Sequence, residues 1–145
     1  CDFGLARVKQ AGQDAQTTSS NVGPLRWMSV ESLTNQVYNQ ATDVYMFGIT
    51  MYEILGRQVP YRGVPLMQVP LLVLQRDMRP QIYPDMRERL PIYVEVMESA
   101  WRREPDLRPG MDEIWRRLME LHSKMEEDGS GDEPRDKPSY PPMEV

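Results

Sequence analysis

A mainly α-helical fold built round one buried central helix is what the sequence predicts, and three stretches carry that reading. Residues 42–55 place Val44, Phe47, Gly48, Met51, Ile54 and Leu55 at offsets of three, one, three, three and one. That is a helical stripe, not a strand alternation. Pro91 opens a second apolar stretch holding Tyr93, Val94, Val96, Met97, Ala100 and Trp101. Met111, Ile114, Trp115, Leu118 and Leu121 recur at offsets of three, one, three and three, with Arg116, Arg117 and Glu120 between them. This last pattern is an amphipathic helix that packs one face on the rest of the chain.

The 42–55 helix is the central one because its other face, with Tyr45, Thr50, Tyr52 and Glu53, is barely polar. A helix apolar nearly all round belongs in the middle of a domain. Thr42 or Asp43 is positioned to cap its first turn, and Gly56 to end it in the left-handed region. Residues 8–21 are small and polar without a period, which reads as a surface loop. Residues 35–40 are polar and turn-prone. Residues 59–65 are punctuated by Pro and Gly, and 66–74 read as a short helix containing Pro70. Proline costs about 3 kcal/mol inside a helix and little in its first turn, so the helix starts near Pro70 or kinks there.

Charge separates two regions. Residues 126–145 hold seven acids and two bases, a net of −5; residues 1–125 hold fifteen of each. The Asp, Glu, Gly, Ser and Pro composition of the end segment predicts disorder over 123–145, since it buries too little apolar area to offset its ordering entropy. Tyr140 among its prolines, or the terminal Met143-Glu144-Val145, could serve as a short peptide ligand. No basic stripe suggests nucleic acid. No apolar run is long enough to cross a bilayer, and no signal peptide is visible. Cys1 is the only cysteine, so no internal disulfide forms. His122 is the only histidine, which excludes a histidine acid–base pair or a histidine metal cluster.

Four motifs stand in order along the chain. Asp2-Phe3-Gly4 comes first. Gly23-Pro24-Leu25-Arg26-Trp27-Met28 leads into Ser29-Val30-Glu31. Asp43-x-Tyr45-x-Phe47-Gly48 is followed by Glu53, and Trp101-x-x-x-Pro105-x-x-Arg108-Pro109 lies near the end. Between the first two, Thr17, Thr18, Ser19 and Ser20 are candidate phosphorylation sites, because a phosphate in such a loop adds nearly two charges and can order it against arginine.

This set resembles the C-terminal lobe of protein kinases of the tyrosine-kinase or tyrosine-kinase-like group, over residues 1–122. The resemblance implies a partial kinase domain, mainly α here and α+β when complete, followed by the acidic tail at 123–145. It implies that Asp2 is the catalytic and metal-binding carboxylate, holding Mg2+ against ATP phosphates with Phe3 and Gly4 beside it. A carboxylate suits a hard cation that takes oxygen ligands. Gly23, Pro24, Leu25, Arg26 and Trp27 would face the protein substrate. Glu31 would pair with Arg108, and Asp43 would receive backbone donors from a catalytic loop. The first two letters of the family's A-P-E motif are changed here to Ser29-Val30.

The implied reaction is transfer of the ATP γ-phosphoryl group to a protein Tyr or Ser/Thr hydroxyl, in the cytoplasm or on the cytoplasmic side of a membrane receptor. The sequence has no Gly-rich phosphate loop, no strand lysine and no H-R-D loop. The chain alone is therefore expected to be inactive and to need the missing N-lobe of its domain. A chain beginning with Cys also suggests that a segment precedes it. A pseudokinase or scaffold remnant that only binds partners is the alternative.

Overall fold

The computed structural model describes residues 16–17 and 24–127. Asp2, Phe3, Gly4, Thr18, Ser19, Ser20, Gly23 and the segment 128–145 lie outside the described residues; of Thr17 only the backbone is described. Ser29 starts α1 (Val30–Asn35) by accepting the Ser32 backbone N–H on its hydroxyl at 3.3 Å. The helix stops at Gln36, which is left-handed at φ 55°. The chain then turns into β2 (Val37–Tyr38), antiparallel to β1 (Gln16–Thr17) with Gln16 opposite Tyr38. The loop expected over 8–21 thus contains a short strand, too brief to leave an alternating signature.

Helix α2 (Gln40–Gly56) begins earlier than its apolar pattern suggests. Asn39 is the cap: its side chain accepts the Thr42 N–H at 3.0 Å, and the Thr42 hydroxyl accepts the Asn39 N–H at 2.9 Å. This reciprocal box satisfies two of the donors a helix start leaves orphaned. Thr42 therefore closes the box and Asp43 is not the cap. At the other end Gly56 is still helical, and Arg57 takes the left-handed conformation at φ 47°.

The buried face of α2 is rotated from the expected stripe. Val44, Tyr45, Gly48, Ile49, Met51 and Tyr52 are buried, Phe47 and Leu55 partly so, and Ile54 is 67% exposed. A helix apolar on several sides does not declare its inner face, and the two tyrosine rings take the place given to Ile54. Glycine 48 has a specific task. A Cβ there would stand 3.0 Å from the Ala100 Cβ and 3.2 Å from the Met97 carbonyl oxygen. That is where α2 crosses α5 (Pro91–Ala100), and the close approach puts Val94, Val96, Met97, Ala100 and Trp101 into one core with α2.

The remaining elements surround this pair. A 3-10 turn (Leu66–Gln68) feeds α3 (Val69–Arg76), with Pro70 in its first turn as its chemistry requires. Val69 and Val73 of α3 meet Tyr61 and the half-buried Val30 and Leu33 of α1 in a second, smaller core. Helix α4 (Pro84–Arg89) was not expected; its one buried residue is Met86, and six mostly charged residues carry no period. After a 3-10 turn (Pro105–Leu107) comes α6 (Met111–Glu127), whose last turn takes in 123–127 of the segment expected to be disordered. Only Ile114 of its apolar set is fully buried, with Leu118 packed beside it, while Met111 and Trp115 are exposed, contrary to the expected inner face.

The α2–α5 crossing gives a test. Gly48→Val should destabilise the chain by about 1–3 kcal/mol, the usual cost of forcing volume into a packed contact. Urea unfolding followed by circular dichroism measures it, and Gly48→Ala should lie between Val and the parent.

Candidate functional site

Residues 24–31 form a continuous segment whose side chains are fastened to distant parts of the fold. A turn closes it at one end, where the Trp27 N–H donates to the Pro24 carbonyl at 2.8 Å. The Arg26 guanidinium donates to the carbonyls of Pro60, Tyr61 and Val64 at 2.8, 3.2 and 3.2 Å. The Trp27 indole N–H donates to the Glu53 carboxylate of α2 at 3.2 Å. Leucine 25 is half-buried, and Met28 and Ser29 are buried. Two side chains of the expected substrate-facing loop thus point at the protein itself and set the loop's shape.

Glu31, in the first turn of α1, meets Arg108 across 77 positions of sequence. The pair is bidentate, Nη1 to Oε1 at 2.5 Å and Nη2 to Oε2 at 3.0 Å. Arg108 also donates from Nε to the Arg102 carbonyl at 2.8 Å, from Nη1 to Ala41 at 2.8 Å, and from Nη2 to Arg103 at 3.0 Å. A guanidinium has five N–H groups, so every one is used. Its side chain is fully buried. The carbon of the guanidinium stands 5.1 Å from the centroid of the buried Tyr45 ring, and that of Arg79 stands 5.3 Å from it. Cations over a ring face are attracted to its negative quadrupole, more so when desolvated.

Burial alone would raise the Glu31 pKa, but the Arg108 hydrogen bonds, a backbone hydrogen bond, the Arg108 charge and the Ser29 hydroxyl together hold it below its ordinary value of 4.5. A depressed carboxyl stabilises the fold fully above that ordinary value. The contribution is lost as pH falls through the lowered folded-state value.

Asp43 lies elsewhere. It is exposed on the first turn of α2, its side chain makes no hydrogen bond or ion pair among the described residues, and partial desolvation by the surrounding chain raises its pKa. It heads an open stripe on an otherwise enclosed helix: Asp43, the half-buried Phe47, Thr50 and Ile54 recur at helical spacing.

Sequence reasoning missed other contacts. Arg102 and Arg103 both reach backbone carbonyls. Arg103 donates to the Val73 and Leu74 carbonyls at the end of α3 at 3.4 and 3.2 Å and reaches Asp77 at 3.3 Å; Arg102 donates to the Leu107 carbonyl at 3.2 Å. Basic groups suit a helix C-terminus, but nothing in the local sequence says which helix end they will find. No group of three or more His, Cys, Asp or Glu able to hold a metal occurs among the described residues. None of the described helices is long and apolar enough to cross a membrane.

A family model described as protein tyrosine and serine/threonine kinase matches residues 1–118. Among curated proteins, the Arabidopsis thaliana serine/threonine-protein kinase STY17 is 31% identical over 88% of this chain and 21% of its own length. The probable serine/threonine-protein kinase drkC of Dictyostelium discoideum is 32% identical over 81% of this chain and 15% of its own. The chain therefore spans about a fifth or less of the length of these relatives.

Arg108→Ala should cost about 3–5 kcal/mol, because it strands a carboxylate in the interior. Arg108→Lys should cost less but still destabilise, since an ammonium has three donors where five are used. Glu31→Gln should flatten the acid limb of the stability–pH curve below its ordinary value of 4.5. Chemical denaturation across a pH series reads all three.

Proposed function

Since the chain belongs to the protein tyrosine and serine/threonine kinase family, we propose that it is the substrate-side part of a domain that transfers the ATP γ-phosphoryl group to a protein hydroxyl. The observation that carries this is the Glu31–Arg108 clasp. It ties the end of the loop at 24–28 to the far end of the fold, as the kinase resemblance requires of these two motifs. Phosphoryl transfer leaves little covalent chemistry to the protein, so holding the acceptor in place accounts for much of catalysis. A loop braced by Arg26 and Trp27 is suited to that work. The relatives are named serine/threonine kinases, which favours Ser and Thr over Tyr as the acceptor.

Asp2 is the carboxylate we assign to Mg2+ and ATP, which supply the reacting phosphoryl group and neutralise its charge. The remaining nucleotide contacts and the general base come from residues outside this chain. The open α2 stripe is where we place the segment that carries them: Asp43 offers a free acceptor, and Thr50 and Ile54 an uncovered surface. The 145-residue chain alone should show no phosphotransfer above its Asp2→Asn variant.

A chimera tests the assignment. The chain is fused behind the upstream part of the STY17 kinase domain and assayed for ATP-dependent phosphate incorporation into a protein acceptor. Activity should appear and fall by at least about two orders of magnitude in Asp2→Asn, given that the metal-held phosphates are the reacting group. Ile54→Glu should change the stability of the isolated chain by no more than about 0.5 kcal/mol, as an exposed substitution. In the chimera it should abolish activity. A chimera that folds and binds ATP without transferring phosphate would refute the proposal.

A further inference from the structure

Residues 54–76 contain three arginines, Arg57, Arg62 and Arg76, and no acid. All three are exposed, and none takes part in an ion pair among the described residues. The two acids that bound this stretch are already engaged: Glu53 accepts the Trp27 indole N–H, and Asp77 pairs with Arg79 and Arg103. The same stretch exposes large apolar side chains, with Leu66 at 47%, Met67 at 79% and Leu71 at 52%. Exposed cations and exposed large apolar side chains in one acid-free stretch are the groups an interaction surface presents.

Backbone geometry sets Arg62 apart. Tyr61 is left-handed at φ 56° and Gly63 at φ 83°, and the Val64 N–H closes the turn on the Tyr61 carbonyl at 3.0 Å. Arg62 sits between them. Tyr61 is buried, so the turn is anchored on one side of Arg62 while Arg62 itself stays in solvent. The Arg26 guanidinium binds the carbonyls of Pro60, Tyr61 and Val64, which fastens this turn to the loop at 24–28. These bonds join the two into one surface.

We propose that Arg62, Leu66 and Met67 form a docking site for an acidic segment of the substrate protein that also carries large apolar side chains. The proposal rests on the reading that residues 24–28 face the acceptor, and it names the sequence class that would be selected. Charge complementarity selects the occupant: acids meet Arg62, in a stretch that carries three arginines and no acid, and apolar side chains cover Leu66 and Met67. Arg62 is a specificity-determining residue and takes no part in the chemical step.

Fluorescence anisotropy of the 145-residue chain, without nucleotide, tests this. The probes are a fluorescein-labelled peptide of Glu and Leu residues around a Ser, and its counterpart with every Glu replaced by Lys. The Glu peptide should bind at least about tenfold tighter, as expected for several charge contacts acting together. Arg62→Glu should remove or invert that preference. The pair Leu66→Ser and Met67→Ser should weaken the Glu peptide about fivefold or more while leaving thermal unfolding unchanged, because both side chains are exposed. Equal affinity for the two peptides, or an unchanged preference in Arg62→Glu, overturns the proposal. So does a chain ending at Glu127 that binds the Glu peptide about tenfold tighter than the whole chain, since the surface would then belong to the chain's own acidic end. Because no nucleotide or turnover is involved, a failure here leaves the phosphotransfer assay of the chimera untouched, and the reverse holds as well.

Discussion

A single guanidinium organises this fold. Arg108 comes from the segment before the last helix, yet it joins the first turn of α1, the start of α2 through Ala41, and its own approach segment through Arg102 and Arg103. Burying such a cation costs several kcal/mol unless its donors are all met. Here five donors find five acceptors, and the Tyr45 ring adds a sixth contact. Displacing α1 or α2 would strip this cation of the acceptors they supply, so one side chain couples three elements.

The consequence reaches the loop that precedes α1. Glu31 holds the start of that helix, Trp27 is tied to α2 through Glu53, and Arg26 is tied to the turn at 60–64. The loop has little freedom that these anchors do not govern. On the proposed reading, a loop that positions an acceptor hydroxyl benefits from anchors on rigid elements. The α2 stripe from Asp43 to Ile54 plays the complementary part: it is the one side of the central helix that the described residues leave uncovered.

Much of this was legible in sequence, for definite reasons. Helices α2, α5 and α6 announce themselves because their apolar spacing follows from 3.6 residues per turn. The start of α3 was readable because Pro70 is tolerated only there. The Glu31–Arg108 partnership came from motif resemblance, since nothing local connects residues so far apart. What failed to show was rotational setting and reach. Tyr45 and Tyr52 took the core side from Ile54 because an all-round apolar helix leaves its orientation to its neighbours. Trp115 is exposed although its spacing matches Ile114 and Leu118, again a matter of what packs opposite. Asn39 outdid Thr42 and Asp43 as the cap because a cap is decided by hydrogen-bond geometry at one residue, which no period reports. Arg26 and Arg103 act through backbone carbonyls, which every residue possesses and no sequence pattern marks.

The boundary between α2 and the following loop holds a small mismatch with thermodynamic meaning. Gly56, the residue best suited to a left-handed exit, is spent inside the helix, and Arg57 adopts that exit instead. Each half of this inversion costs on the order of 1 kcal/mol. A Cβ at position 56 would lie 3.2 Å from the Met86 methyl group, close enough that the methionine would have to give by a few tenths of an ångström. Docking of α4 thus favours the smallest residue at position 56, and the neighbouring arginine takes the left-handed backbone. Backbone comfort at Arg57 has been given up for a closer contact at Gly56, so a residue suited to the left-handed region at position 57 should stabilise the chain.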